Sequence, residues 1–449
     1  MSKLTRDMTQ GSVAKNLILF TIPLCLSYFL QALYGSADTL IVGQFSPLGD
    51  VTGVSQGSQV ISILTNAISG FSSGGTVLIS RYMGAKRDKD LQETIESIFA
   101  LFATLALVFT GVMLLGNNLI IRLMQVPMEA VVPMRRYLQV CEIGILFIFF
   151  YNCISAVLQA MGDSRHPLIF VGIACCVNIV LDLILVAGFR MGAFGAAIAT
   201  VLAQMFSVIL SIRFLRKQNF TFDFALRSFR FHREKLVLLL QLGLPFAVMR
   251  AIVNCSFVIV SGLSNTYGLA ASSAAGVVAK INNFATMPFT ALQVAISTMA
   301  GQNMGAGQRK RAQRTLFVGF GICFSIGATI FLLAQFFPCQ ILSLFSPNED
   351  MIAVGEGFLR FFALEYLLMP FTYSIHGLMS ACGYTWIPAV DGFMAAVLCR
   401  IPLAMLCASW IGFPGIALGS ALAVLGAVIP AITFYLSGIW KKPGKKSRL

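Results

Sequence analysis

Charge is what this chain lacks most. Only 11% of its 449 residues are Asp, Glu, Lys or Arg, against 57% hydrophobic, and the mean hydropathy is +0.83. A soluble domain carries about a quarter charged residues, so a water-facing fold with one or two cores is excluded. The three histidines, His166, His232 and His376, are too scattered for the paired-histidine spacing of metal hydrolases, and no G-x-S-x-G elbow is present. An ATP-binding loop is missing as well: Gly438 and Gly444 are one residue too far apart, and Lys445 is followed by Lys446. These absences argue against an enzyme, against ATP as the energy source and for no cofactor. The eleven cysteines form no C-x-x-C and fall almost all in apolar stretches, where they read as small core residues. Residues 1 to 15 are polar and lead into no short apolar run with a small-residue cleavage site, so no removable signal peptide is expected.

What is present instead is a series of long apolar runs. About 20 apolar residues span the hydrocarbon of a bilayer, and twelve such stretches lie between residues 16 and 437, the tenth at 357 to 382. Strands of a membrane barrel would be about half as long and would alternate in polarity, so the spans are helices. The net charge of +14 is concentrated in alternate loops: Arg81, Lys86, Arg87 and Lys89; Arg213 to Lys235; Arg309, Lys310, Arg311 and Arg314; and Lys441 to Arg448. The positive-inside rule then puts both termini in the cytoplasm, with the protein in the plasma (inner) membrane. Nucleic acid is not an expected partner, because the basic stretches are short and separated by membrane.

Slid on itself by about 221 residues, the chain repeats its punctuation. "TIPL" with Pro23 meets "GLPF" with Pro245, "YMGAK" meets "NMGAG", and "LMQVP" meets "LFSP". "LQAMGDSRHP" meets "MSACGYTWIP" and "GAFGAA" meets "GFPGIA". Each repeat holds six spans, an even number, so both halves keep one orientation and are related by a pseudo-two-fold axis along the membrane normal. The expected fold is therefore all-α and polytopic, twelve transmembrane helices in two six-helix bundles. Its parts are an N-terminal lobe at 1–216, a basic cytoplasmic linker at 217–235, a C-terminal lobe at 236–440 and a basic tail at 441–449. One chain already holds both lobes, so a monomer in the lipid bilayer is expected.

Ionisable groups inside such spans cost about 2.5 to 3.5 kcal/mol each and mark functional positions. Asp38, Asp182 and Thr200 fall on the first, fifth and sixth spans, each roughly 9 to 14 Å in from the outer end at 1.5 Å rise per residue. Asn178 shares a helix face with Asp182, and Ala196 shares one with Thr200. These hard oxygen donors suit Na+, and the same carboxylates suit a proton. A purely structural role, hydrogen-bonding neighbouring helices, is the competing reading. By the same slide, Asp38, Asn178, Asp182 and Thr200 face Val260, Cys399, Leu403 and Ser420, so the acid site belongs to one half only. The second half has its own charged cluster, Lys280, Glu365 and Arg400, with Lys280 and Glu365 expected to neutralise each other. Pro23 lies fifteen residues before Asp38 on the same helix and removes a backbone hydrogen bond there, a candidate hinge. Gly415 and Gly419 have the spacing of close helix packing.

"LQALYGSADTLIVG" with Asp38, "VNIVLDLILV" with Asn178 and Asp182, and "GAAIAT" ending in Thr200 resemble the multidrug and toxic compound extrusion (MATE) family, in its prokaryotic DinF-like branch. The resemblance covers nearly the whole chain. It implies that these four residues form the cation or proton site of the N-terminal lobe, with Tyr137 and Asn152 joining its hydrogen-bond network. It further implies cation-coupled antiport, by alternating access, of amphipathic and often cationic small organic compounds. Where the other MATE branch has an acid on the seventh helix, this chain has Arg250 and Asn254, so the resemblance supplies no second-lobe cation site. A lipid-linked saccharide flippase of similar two-bundle plan is the alternative, drawn from Arg250, Lys280 and Arg400.

Overall fold

The computed structural model describes residues 6–218, 220 and 222–441. Every long element among them is a helix, as expected where no water reaches the backbone. In the first half these are α1 (Val13–Phe45), α2 (Leu48–Gly84), α3 (Asp88–Leu123), α4 (Met128–Ala160), α5 (Arg165–Asp182) and α6 (Gly192–Lys217), with a π-helical turn, Leu183–Gly188, continuing α5. The second half holds α7 (Arg233–Asn265), α8 (Leu269–Gly305), α9 (Arg309–Phe336), a short α10 (Pro338–Ser343), α11 (Glu349–Phe362) and α12 (Glu365–Ala381). It ends with α13 (Trp386–Phe393), a π-helical turn at Met394–Arg400, then α14 (Ile401–Ile411), α15 (Phe413–Ala423) and α16 (Leu425–Leu436).

Nine helical stretches among the described residues are long and apolar enough to cross a membrane, α5, α13–α14 and α15–α16 each counted through their breaks. The other three expected spans are more polar or interrupted. α2 carries the Ser- and Gly-rich run from Ser55 to Gly75, and α8 carries Lys280, Asn282, Asn283 and Gln293. The tenth span divides into α11 and α12 around Ala363 and Leu364. Pro370 then removes the N–H that would bond the Tyr366 carbonyl, and Gly327 of α9 packs on that carbonyl: a Cβ on Gly327 would stand 2.2 Å from it. α15 meets α14 in the same way. A Cβ on Gly415 or Gly419 would come within 2.1 Å of the Cys407 carbonyl oxygen or 2.3 Å of that of Leu403.

The chain folds as two compact units. One contains Ile22–Ile79 and Arg87–Gln241; the other contains Asp7–Thr21, Ser80–Lys86 and the described residues from Leu242 to Lys441. α1 thus gives its residues up to Thr21 to the second unit and those from Ile22 to the first, with Pro23 just past the division. Residues 219 and 221 of the expected linker, and residues 442–449 of the basic tail, lie outside the described residues. The described linker is held to α3. Phe222 stacks on Phe99 at 4.5 Å between centroids, and His232 Nε2 lies 2.9 Å from Glu96 Oε2.

Candidate functional site

Within the first unit, three helices bring the polar groups together. Asp38 of α1, Asn178 and Asp182 of α5, and Thr200 of α6 are all buried, Asn178 and Asp182 completely. Thr200 Oγ1 donates a 2.7 Å hydrogen bond to Asp38 Oδ2, and Asn178 and Asp182 lie within electrostatic reach of the same carboxyl. Asp38 Oδ1, both Asp182 oxygens and both amide atoms of Asn178 make no hydrogen bond within the protein. No Lys, Arg or His among the described residues forms an ion pair with either acid, in contrast to the buried Glu365, which has Arg400. Two neighbouring carboxylates without a protein counter-charge repel strongly in a low dielectric. A shared proton or a small cation relieves that repulsion.

Local sequence explains how the parts are positioned. α5 does not stop after Asp182 but widens into the π turn Leu183–Gly188, closed by Phe189 N–H donating to the Ile184 carbonyl at 2.9 Å. The chain then reverses through Arg190 and Gly192, both at positive φ, and enters α6. Asp50 of α2 accepts the Ala193 N–H at 2.9 Å, so a carboxylate occupies the positive end of the helix that carries Thr200. Ala196 is fully buried in an apolar floor with Val42, Val54, Tyr137, Cys141 and Val186. Its contribution is a small side chain that leaves room, since it has no donor oxygen beyond its backbone.

Tyr137 belongs to that floor and stands in reach of Asp38 and Cys141. Gly57 of α2 makes its position possible: a Cβ there would be 2.5 Å from the ring's Cδ1. Asn152 donates its amide to the Ile148 carbonyl of its own helix at 2.8 Å. Tyr34 was missed. Its hydroxyl donates to the Thr200 carbonyl at 3.2 Å, one helical turn before Asp38 on α1. Its i, i+4 spacing from Asp38 was the available signal. Glu142 of α4 was also missed, a buried acid that accepts a 3.0 Å bond from Asn117 Nδ2.

The charged cluster of the second unit is arranged otherwise than expected. Glu365 pairs with Arg400, Oε1 to Nη2 at 3.6 Å, whereas Lys280 is exposed. Arg400 also donates to Ser256 Oγ at 3.1 Å and lies 4.0 Å over the Phe257 ring. A further buried pair, His376 Nε2 and Asp391 Oδ2 at 2.9 Å, joins α12 to α13.

Apolar helices of bilayer-crossing length around buried, unpaired carboxylates define a multi-pass α-helical membrane protein. The MatE family profile matches residues 23–184 and 245–406, and the chain belongs to that family of membrane transporters. It is 29% identical over 440 residues to the probable multidrug resistance protein YpnP of Bacillus subtilis strain 168, covering 97% of each chain. Identity to the probable multidrug resistance protein NorM of Thermotoga maritima is 24% over 442 residues, 96% of this chain and 94% of that protein. Among solved structures, a MOP superfamily transporter from Pyrococcus furiosus superposes with a TM-score of 0.89 at 21% identity, covering 97% of this chain and 98% of that one. At that identity the likeness supports the fold, twelve helices in two bundles, and not a substrate.

Both ends of the paired family match are displaced by 222 residues, 23 to 245 and 184 to 406, in keeping with an internal repeat of about that length.

Proposed function

We propose that the protein is a secondary active antiporter that exports amphipathic, often cationic organic compounds in exchange for H+ or Na+. The observation that carries this is the buried Asp38–Asp182 pair, with carboxylate oxygens that no protein group satisfies. Asp38, Asn178, Asp182 and Thr200 offer the oxygens that would hold the coupling ion, which is cargo and not a resident cofactor. The names of the relatives, probable multidrug resistance proteins, support small organic compounds as the other cargo.

In this reading the empty, charged pair favours drug binding and the ion-bound, neutralised pair disfavours it; exchange requires that opposition. The halves at 1–216 and 236–440 act as the moving lobes, linked through 217–235. Pro23, without an N–H for the Leu19 carbonyl and next to the division of α1 between the two units, supplies the bend. The charge bias of the loops supports both ends lying in the cytoplasm, and we read the chain, which holds both lobes, as a plasma-membrane monomer that acts as a transporter.

Dye efflux from proteoliposomes under a pH gradient alone, and then a sodium gradient alone, tests the proposal. One gradient should drive export in the wild type, and neither should in Asp38→Asn. Equal export by the variant would remove Asp38 from coupling. The flippase alternative draws less support, because Lys280 is exposed and Arg400 is already engaged by Glu365.

A further inference from the structure

Glu142 lies near the middle of α4, a helix long and apolar enough to cross a membrane, and the proposed coupling makes no use of it. Its side chain is fully buried and bonded to α3. Thr110 and Asn117, two turns apart and so on one face of α3, meet it there. Thr110 Oγ1 donates to the Glu142 backbone carbonyl at 3.1 Å, and Asn117 Nδ2 donates to Glu142 Oε1 at 3.0 Å.

The side-chain pair is half satisfied. Glu142 Oε2 and Asn117 Oδ1 are both buried, and neither has a hydrogen-bond partner. An ionised carboxylate only accepts, and so does an amide oxygen, so the two orphan atoms cannot serve one another in that state. A proton on Oε2 changes this. It makes Oε2 a donor, and the acceptor left over on the neighbouring amide is Asn117 Oδ1. Acid and amide then exchange two hydrogen bonds, and no buried polar atom of the pair is left over.

Nothing else in the protein neutralises this carboxyl. No charged side chain acts on it, in contrast to Glu365, which has Arg400. On α4, Glu129, Arg135 and Arg136 are exposed, while Tyr137 and Cys141 belong to the floor beneath Asp38, with the Cys141 thiol in electrostatic reach of Glu142. α3 carries its other ionisable residues at its start, from Asp88 to Glu96, and at the exposed Arg122. α6 carries its own, Arg213, Arg216 and Lys217, in its last turns. α5 carries Arg165 and His166 at its start, then Cys175, Cys176 and Asp182. One carboxyl and one amide oxygen are also too few for a metal ion, which takes about four or more donors.

We propose that Glu142 is a second proton-binding site of the first unit, separate from Asp38 and Asp182: its bound proton is given to Asn117 and clasps α3 to α4, and loss of the proton opens the clasp. Ionised, Glu142 would strand a carboxylate oxygen and an amide oxygen inside two bilayer-crossing helices.

The test is solid-state NMR of the full-length protein in lipid bilayers, with carbon-13 at the side-chain carboxyl of glutamate only, which leaves Asp38 and Asp182 silent. Among the eight glutamates, a resonance of a neutral carboxylic acid should appear near neutral pH and be missing from Glu142→Gln. A wild-type spectrum in which all eight are carboxylates overturns the proposal without any variant, and so does a neutral resonance that survives Glu142→Gln as the sole one. Thermal melting reads the clasp itself. The amide of Glu142→Gln can donate to Asn117 Oδ1 and accept from Asn117 Nδ2 at any pH, so the variant keeps both bonds. Folded wild type holds a proton here that the unfolded chain gives up, so its melting temperature should fall relative to the variant as the pH is raised from neutral to alkaline. Equal pH dependence of the two proteins overturns the clasp. Neither measurement uses a gradient or a dye, so failure here leaves the proposed antiport untouched.

Discussion

Gly57→Ala is the most revealing small change in the first unit. A methyl there stands 2.5 Å from Tyr137 Cδ1 and 3.0 Å from Cε1, against ordinary carbon contacts of about 3.5–4.0 Å. α2 and α4 must separate by roughly 1 Å, or the ring must leave the apolar floor beneath Asp38. Overpacking of this kind costs about 1–3 kcal/mol. If the strain falls on one conformation of the transport cycle, the equilibrium between conformations shifts by about 5- to 150-fold. Thermal denaturation of the purified protein should report the lost stability, and dye efflux the lost turnover, with both acids untouched. A double-mutant cycle identifies the cause. Tyr137→Leu should rescue Gly57→Ala, whereas Tyr137→Phe, which keeps Cδ1 and Cε1, should not. A Gly57→Ala protein with wild-type stability and turnover would refute the argument that this close approach sets the floor of the site.

Asp182→Asn should abolish gradient-driven efflux while elution on size exclusion stays that of the folded protein. Asp50→Ala should lower the melting temperature by the equivalent of about 0.5–2 kcal/mol, the cost of a lost helix cap, whereas Asp50→Asn, which keeps the acceptor oxygen, should lie close to wild type. Arg400→Ala strands the buried Glu365 and should destabilise by about 3–5 kcal/mol; adding Glu365→Gln should restore most of that in the same melting assay. Pro23→Ala returns a hydrogen bond to α1, so the protein should melt no lower than wild type yet export more slowly in the vesicle assay.

The acids of the first unit were legible because an ionisable residue in a hydrocarbon-spanning helix stands out against its neighbours, and two at one depth cost more than helix-to-helix hydrogen bonding requires. Tyr34 was not, since an aromatic on an apolar helix looks the same whether it packs or hydrogen-bonds. Asp391 lies near the start of α13, fifteen residues from His376, and only the fold brings the two together. Partner choice was beyond reach for Glu365: Lys280 and Arg400 are both distant in sequence, and helix packing decided between them. The halves repeated visibly through their prolines and glycines, whereas the π turns Leu183–Gly188 and Met394–Arg400 left no mark in the apolar sequence around them. The tenth span's division into α11 and α12 escaped notice because its hydropathy runs through the break at Ala363 and Leu364.

Ion release measured on the purified protein tests the central claim most directly. If Asp38 and Asp182 hold a coupling ion in opposition to drug, adding an exported dye to detergent-solubilised protein in weak buffer should release close to one H+, or one Na+ in sodium medium, per protein. The release should vanish in Asp38→Asn and in Asp182→Asn. Dye binding that proceeds with wild-type affinity and no ion release would contradict the account.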